Sequence, residues 1–197
     1  MDHGKVCVTG ASGFLASWLI KRLLSAGYHV IGTVRDPGND SKLAHLWNLQ
    51  GAKERLRLVK AELTEEGSFD DAILGCEGVF HTASPGEILK PAIDGTLNVL
   101  SSCKKNPSLR RVVFTSSSST LRVRDDFDPK KVTIDESSWS SVEFCERLNI
   151  WFEQHDRPYY EFDTTKLKSL GFTFKPIQEM FDDCVTSLVE QGHLSIP

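Results

Sequence analysis

Residues 5–16 read Lys-Val-Cys-Val-Thr-Gly-Ala-Ser-Gly-Phe-Leu-Ala: a short apolar run that breaks at Gly10 and Gly13 and resumes at helical spacing. Val6, Cys7 and Val8 suit a buried strand. Beyond the turn, Leu15, Trp18, Leu19, Arg22, Leu23 and Ala26 recur with the period of a helix. Strand, glycine turn and helix together make a cradle for phosphate. Glycines let the backbone approach a pyrophosphate without a Cβ in the way. The first N–H groups of the helix have no internal partner and carry the positive end of its dipole. Ala16 stands where a third small residue lets helix and strand pack closely. The spacing Gly-x-x-Gly-x-x-Ala has one more turn residue than the common dinucleotide pattern. Gly10, Ala11, Ser12, Gly13, Phe14 and Leu15 are the candidate nucleotide contacts. The same residues also suit an ordinary strand-to-helix turn.

A chain of 197 residues is long enough for one domain with a sizeable core. Its net charge of −4 gives no reason to expect nucleic acid or an anionic membrane as a partner. It has no apolar run of about 18 residues and no signal-like N-terminus, so a cytoplasmic chain is expected. The five cysteines are scattered, with no Cys-x-x-Cys pair, and read as reduced and mostly buried. The six histidines show no ligand spacing, so no metal is expected.

Apolar runs at residues 28–34, 55–60, 78–81 and 111–115 predict four more strands. Helical stretches are predicted at 41–49, 69–74 and 88–105, the last with Ile88, Leu89, Ala92, Ile93, Leu97 and Leu100 on one face. Strands alternating with helices imply a Rossmann-type, doubly wound parallel α/β sheet of about five strands with right-handed crossovers. After Ser119 no further buried strand of the Val/Ile type is found. Residues 122–131 read as a charged loop, and 140–154 and 163–170 as helices. Residues 176–191 read as an amphipathic helix carrying Ile177, Met180, Phe181, Cys184 and Leu188.

Ligands of open parallel sheets bind at the carboxyl ends of the strands. Arg35 ends the second strand, where an acidic residue selects NAD and an arginine accommodates the 2′-phosphate of NADP. Lys42 is placed to add a second cation, and Asp36 belongs to the turn. The cofactor read from these residues is NADP(H); the alternative for Arg35 is a plain surface residue. Thr82, Ala83 and Ser84 follow the fourth strand, and Ser116 and Ser117 follow Thr115 at the end of the fifth. Such small hydroxyl residues suit ribose, nicotinamide or a substrate carbonyl, and equally suit caps and turns. Glu62 follows the third strand beside Leu63, placed for the adenine amino group or for the surface.

The stretches Val6-Cys7-Val8-Thr9-Gly10-Ala11-Ser12-Gly13-Phe14-Leu15-Ala16, Thr33-Val34-Arg35-Asp36-Pro37, Val79-Phe80-His81-Thr82-Ala83-Ser84-Pro85 and Val113-Phe114-Thr115-Ser116-Ser117 resemble the extended short-chain dehydrogenase/reductases of plants. The group is that of dihydroflavonol reductase and cinnamoyl-CoA reductase. Leu46-Trp47, residues 51–56 and Asp125-Asp126-Phe127-Asp128-Pro129 look most like its tetraketide α-pyrone reductase branch. The resemblance implies an NADPH-dependent reduction of a carbonyl on a phenolic or polyketide-type small molecule. It does not reach the oligomeric state.

Such enzymes use a serine, a tyrosine and a lysine four residues after the tyrosine. The tyrosine protonates the carbonyl oxygen, the lysine lowers the tyrosine pKa, and the serine hydrogen-bonds the carbonyl. Ser117 matches the serine. Phe152 stands at the tyrosine position and Asp156 at the lysine position. Tyr28, Tyr159 and Tyr160 lead four residues on to Gly32, Asp163 and Thr164, so no Tyr-x-x-x-Lys pair exists. The resemblance follows the family up to Trp151 and resumes at its C-terminal portion, with a smaller gap near Pro85-Gly86. It implies removed segments, as in a shortened splice form or a gene model lacking exons. The expected domains are a nucleotide-binding part, residues 1–151, and a remnant of the substrate region, residues 152–197. The fifth strand is expected to become a sheet edge beside an apolar face.

Overall fold

A computed structural model of the chain describes residues 3–84, 90–121, 123–125, 133–135, 137–148, 161–190 and 194–195. The chain divides into two compact units, residues 1–115 and 116–197. The domain boundary expected at Trp151 lies outside the described residues.

The expected apolar runs become β1 (Lys5–Thr9), β2 (His29–Val34), β3 (Leu56–Lys60), β4 (Gly78–His81) and β5 (Arg111–Phe114). All neighbouring pairs are parallel, in the spatial order β3-β2-β1-β4-β5. Between them run α1 (Phe14–Ser25), α2 (Asp40–Trp47), α3 (Ala52–Arg55), α4 (Asp70–Ile73) and α5 (Lys90–Lys104). β1 is central, and alternation sends its side chains to opposite faces. Val6 and Val8 join a core with Ile20, Leu24, Val30, Leu43 and Leu46, while Cys7 joins a second core with Phe69, Ile73, Cys76, Val79 and Val99. Both faces are buried, which is why the strand reads as an unbroken apolar run.

In two helices the fully buried residues are largely other than those picked out by helical spacing, Leu23 apart. In α1 the buried residues are Ala16, Ser17, Ile20, Leu23 and Leu24. Leu15 is 55% exposed, Trp18 and Leu19 are half-buried, and Arg22 and Ala26 lie at the surface. Small residues win the close approach: Ser17 Oγ turns back to donate to the Phe14 carbonyl at 2.8 Å, so its hydroxyl is buried without cost. In α5 the buried residues are Gly95, Val99, Ser102 and Cys103, whereas Ile93, Leu97 and Leu100 face outward. Ile88 and Leu89 lie outside the described residues.

A buried asparagine closes the second core. Asn106 Nδ2 donates to the carbonyls of Ile73 and Cys76, both at 2.8 Å. Its Oδ1 accepts from the N–H of Gly75 at 3.4 Å and of Ser108 at 3.2 Å. The amide thus ties the end of α4 to the turn after α5. The cysteines of this core are free thiols. Burial pushes the Cys7 thiol well above its ordinary value, and burial likewise lifts Cys76 to about 11, so both stay protonated and inert at neutral pH.

β5 is an outer strand of the sheet, with Val113 45% and Phe114 52% exposed. The opposite edge, β3, carries the exposed charges of Arg57 and Lys60, a common protection against strand addition.

The second unit contains a 3₁₀ turn (Ser118–Leu121), β6 (Thr133–Ile134), α6 (Val142–Leu148), β7 (Glu161–Phe162), α7 (Thr165–Ser169) and α8 (Ile177–Glu190). Beyond the expected elements lies the parallel pair β6 and β7, two residues on each side and with only Ile134 buried. Strands of two residues are too short to leave a period in the sequence. α8 has the expected amphipathic pattern, but Ile177, Met180 and Phe181 face outward and only Ser187 is fully buried. The short elements of this unit offer little surface against which to bury them. Among the described residues no helix is long and apolar enough to cross a membrane.

Candidate functional site

Parallel strands bring the carboxyl ends of β1 to β5 to one edge of the sheet. The chain winds outward from β1 to β3, then returns to place β4 on the other side of β1. The crevice between β1 and β4 is therefore the switch point at which such sheets bind ligands. Gly10 lies there with a φ of +69°, and a Cβ on it would come within 3.0 Å of Ala83 Cα. The turn is closed by the Gly13 N–H donating to the Gly10 carbonyl at 2.9 Å. Ala11 N–H donates to the Thr33 carbonyl at 2.9 Å, which holds the loop against β2. Ala11 and Ala16 are buried, and Ser12, Gly13, Phe14 and Leu15 are exposed. No side chain caps the N-terminus of α1 and no acidic residue stands in its first turn. An uncapped helix start beside a glycine that admits no Cβ fits an anionic phosphate group.

Thr9 is a hub that the motif reading passed over. Its hydroxyl accepts from Thr82 N–H at 3.1 Å and Ala83 N–H at 3.0 Å. The same hydroxyl lies 2.8 Å from His81 Nδ1. Thr82 Oγ1 in turn donates to the Thr9 carbonyl at 2.6 Å. The ends of β1 and β4 are thus stapled together, and the backbone of Thr82 and Ala83 is fixed beside Gly10. Burial holds the His81 imidazole below its ordinary value, so the ring is neutral at neutral pH. The sequence shows only a threonine closing an apolar run before the glycine turn; that its hydroxyl is fully buried appears only in the fold.

The remaining predicted contacts sit along the same edge. Arg35 directly follows β2 and is exposed, as is Lys42 in the first turn of α2. Asp36 lies in the turn, its Oδ1 accepting from Gly38 N–H at 3.0 Å, and Asn39 caps α2 by accepting from Lys42 N–H at 3.2 Å. Glu62 is half-buried, with its main chain held by Ser68: Oγ accepts from Glu62 N–H at 3.0 Å and donates to its carbonyl at 2.7 Å. Leu63 is clamped by α5, where a Cβ on Gly95 would fall 2.9 Å from Leu63 Cβ. Asn98 Nδ2 donates to the Leu63 carbonyl at 2.8 Å. Ser68, Gly95 and Asn98 carried no motif and escaped sequence reasoning. Ser84 is exposed, and Thr115 N–H donates to the His81 carbonyl at 3.0 Å, extending β5 toward the crevice.

Ser116 and Ser117 open the second unit and are exposed; the Ser117 carbonyl accepts from Thr120 N–H at 3.1 Å and Thr120 Oγ1 at 2.7 Å. Phe152 and Asp156, which stand at the expected tyrosine and lysine positions, lie outside the described residues.

A five-stranded parallel sheet with a glycine crevice at its switch point defines a Rossmann-like domain. The model of the NAD dependent epimerase/dehydratase family matches residues 6–142, and the chain belongs to that family. It is 45% identical to tetraketide alpha-pyrone reductase 1 of Arabidopsis thaliana over 318 aligned positions, covering 98% of this chain and 97% of that protein. A chain of 197 residues leaves more than a hundred of those positions empty. Most curated relatives match over less: cinnamoyl-CoA reductase CAD2 of Medicago truncatula is 51% identical over 75% of this chain and 48% of its own length. Among solved structures, vestitone reductase of alfalfa superposes with a TM-score of 0.65 at 41% identity, covering 75% of this chain and 46% of that one. Gre2 of Candida albicans in complex with NADPH superposes at 0.61 with 26% identity, covering 80% of this chain and 55% of that one. The chain spans about half the length of most of these relatives, which are plant and fungal reductases.

Proposed function

We propose that this chain is the nucleotide-binding part of an NADPH-dependent carbonyl reductase, retaining the cofactor cradle and lacking the proton donor. The observation that carries the reading is the switch-point crevice, where Gly10 is pressed against Ala83 beside the uncapped start of α1. In this reading residues 1–151 form the NADP-binding part and residues 152–197 are a remnant of the substrate region. The glycine turn of residues 10–15 holds the pyrophosphate through the backbone N–H groups of Ser12, Phe14 and Leu15, those of Gly10, Ala11 and Gly13 being used within the turn and by Thr33, and Arg35 and Lys42 face the 2′-phosphate. Glu62 and Leu63 border the adenine. Thr82, Ala83, Ser84, Thr115 and Ser116 line the nicotinamide side, and Ser117 hydrogen-bonds the substrate carbonyl. NADPH, when bound, supplies hydride to a carbonyl of a phenolic or polyketide-type molecule. Phe152 has no proton to give, and Asp156 cannot lower a neighbour's pKa as a lysine does.

Three experiments test this. Arg35→Asp is expected to weaken NADPH binding at least tenfold while leaving NADH within about twofold, since one charged pair to phosphate contributes about 1.5–3 kcal/mol. Equal loss of both cofactors in a fluorescence titration contradicts the assignment. The purified chain is expected to enhance NADPH fluorescence yet to oxidise none of it with tetraketide α-pyrone or dihydroflavonol substrates. Phe152→Tyr alone is expected to leave turnover undetectable, because Asp156 remains. Steady NADPH consumption by the unaltered chain overturns the impaired reading.

The gaps favour a second reading, a shortened product of low stability. More than a hundred aligned positions are missing, and the apolar residues Val113 and Phe114 are half exposed on an outer strand. A broad melting curve without NADPH binding would select it.

A further inference from the structure

We infer that His81 is a positioning residue: as a neutral ring it sets the Thr9 hydroxyl that holds the Thr82–Ala83 backbone beside Gly10, and its protonation releases that backbone. A hydroxyl has one proton and two lone pairs. The Thr82 and Ala83 N–H groups, at 3.1 and 3.0 Å, occupy both lone pairs of Thr9 Oγ1. Its proton must then go to His81 Nδ1 at 2.8 Å, which leaves the ring hydrogen on Nε2. An imidazolium carries hydrogen on both nitrogens. Its Nδ1–H would point at an oxygen with no lone pair left, so one backbone N–H must leave. The neighbours in register are Thr9 on β1 and Phe114 on β5, the latter with its ring 5.4 Å from the imidazole, and neither titrates in this range. Burial alone lowers the His81 value, with no charged side chain contributing. His81 is 2% exposed, so the cost of charging it falls on the loop it holds.

The sign follows. The folded ring binds its proton less readily than the unfolded one, so the arrangement is intact above about pH 6.5 and weakens as pH falls below it. Nuclear magnetic resonance on the whole chain tests this directly. The ring nitrogens are expected to report the Nε2–H form at pH 7.5, and the amides of Thr82 and Ala83 are expected to shift with the same midpoint as His81. Their exchange protection, corrected for intrinsic rates, is expected to fall about tenfold between pH 7.5 and 5.5, one pKa unit being a tenfold change. His81→Asn keeps an acceptor oxygen at the Nδ1 position and cannot be protonated, so its two amides should stay protected at both pH values. A ring hydrogen on Nδ1, or amides that do not move with His81, overturns the inference in the unaltered chain, whether or not the variant folds.

A second arm rests on the nucleotide reading of the crevice. NADH is used because it lacks the 2′-phosphate, which itself titrates near pH 6. Its dissociation constant is expected to rise from pH 7.5 to 5.5 along the His81 titration in the unaltered chain, by less than about tenfold because burial lowers the folded value below about 6.5, and not to follow that titration in His81→Asn. An equal rise in both proteins refutes the link to binding. Coupled titration of His81 and the two amides without any nucleotide binding would uphold the inference and reject the nucleotide reading.

Discussion

Gly10→Val is expected to abolish the proposed NADPH binding and to destabilise the first unit by about 2–5 kcal/mol, the combined cost of left-handed strain and overpacking. The glycine sits at a φ of +69°, where a β-branched residue is a genuine outlier. Its new Cβ would lie 3.0 Å from Ala83 Cα and 3.3 Å from Ala83 N. Those atoms are backbone, stapled to Thr9 through the Ala83 N–H, and cannot swing away as a side-chain tip would. The only relief is to part the ends of β1 and β4, which opens the crevice that the cofactor would occupy. Gly171→Ala separates the two effects. Gly171 has a φ of +82° with nothing within 4 Å of its missing Cβ, so this change carries only the strain, about 1–2 kcal/mol. It should leave NADPH affinity unchanged. Titration of both variants decides the matter, and ordinary NADPH affinity in Gly10→Val would remove the crevice from the binding site.

Asn106→Ala has a comparable cost by a different route and spares the ligand. The side chain is 6% exposed and makes four hydrogen bonds, two to carbonyls and two from N–H groups. Alanine removes the Asn106 donor from the buried Cys76 carbonyl, while the Ile73 carbonyl keeps the Cys76 N–H at 2.9 Å. An orphaned buried polar group costs about 1–3 kcal/mol, so the variant is expected to lose about 1–3 kcal/mol in urea denaturation. Asn106 follows the C-terminal end of α5, away from the switch-point crevice proposed for the cofactor, so the affinity of the folded fraction should change less than twofold. A loss below about 1 kcal/mol would mean that water or a backbone shift replaces the amide.

The two variants mark what could be read along the chain. Gly10 was legible because its constraint is local: a turn between a strand and a helix demands glycine whatever surrounds it. The strands were legible for the same reason, since a parallel strand buried on both faces is a plain apolar run. Asn106, Thr9 and His81 were not. Each acts through partners remote in sequence: Asn106 lies 33 residues from Ile73, and Thr9 lies 72 from His81. A polar residue in isolation does not announce whether its bonds will be satisfied.

The helix faces show the same division. Helical spacing located α1 and α5, but apart from Leu23 the residues it picked out are not the fully buried ones. Apolar character alone favoured Leu15 and Ile93, whereas the sheet accepted Ala16 and Gly95, because a helix lying close to a strand has room only for small side chains. The alternation of strands with helices, the glycine turn and its family pattern, and the absence of Tyr-x-x-x-Lys were legible in the sequence, since each depends on neighbours within a few residues. Tertiary structure alone decided which side chains meet at the switch point: Gly10 against Ala83, and one threonine hydroxyl shared by two amides and a buried imidazole. Those contacts exist because parallel winding returns the chain to the far side of β1, a closure that no local stretch encodes.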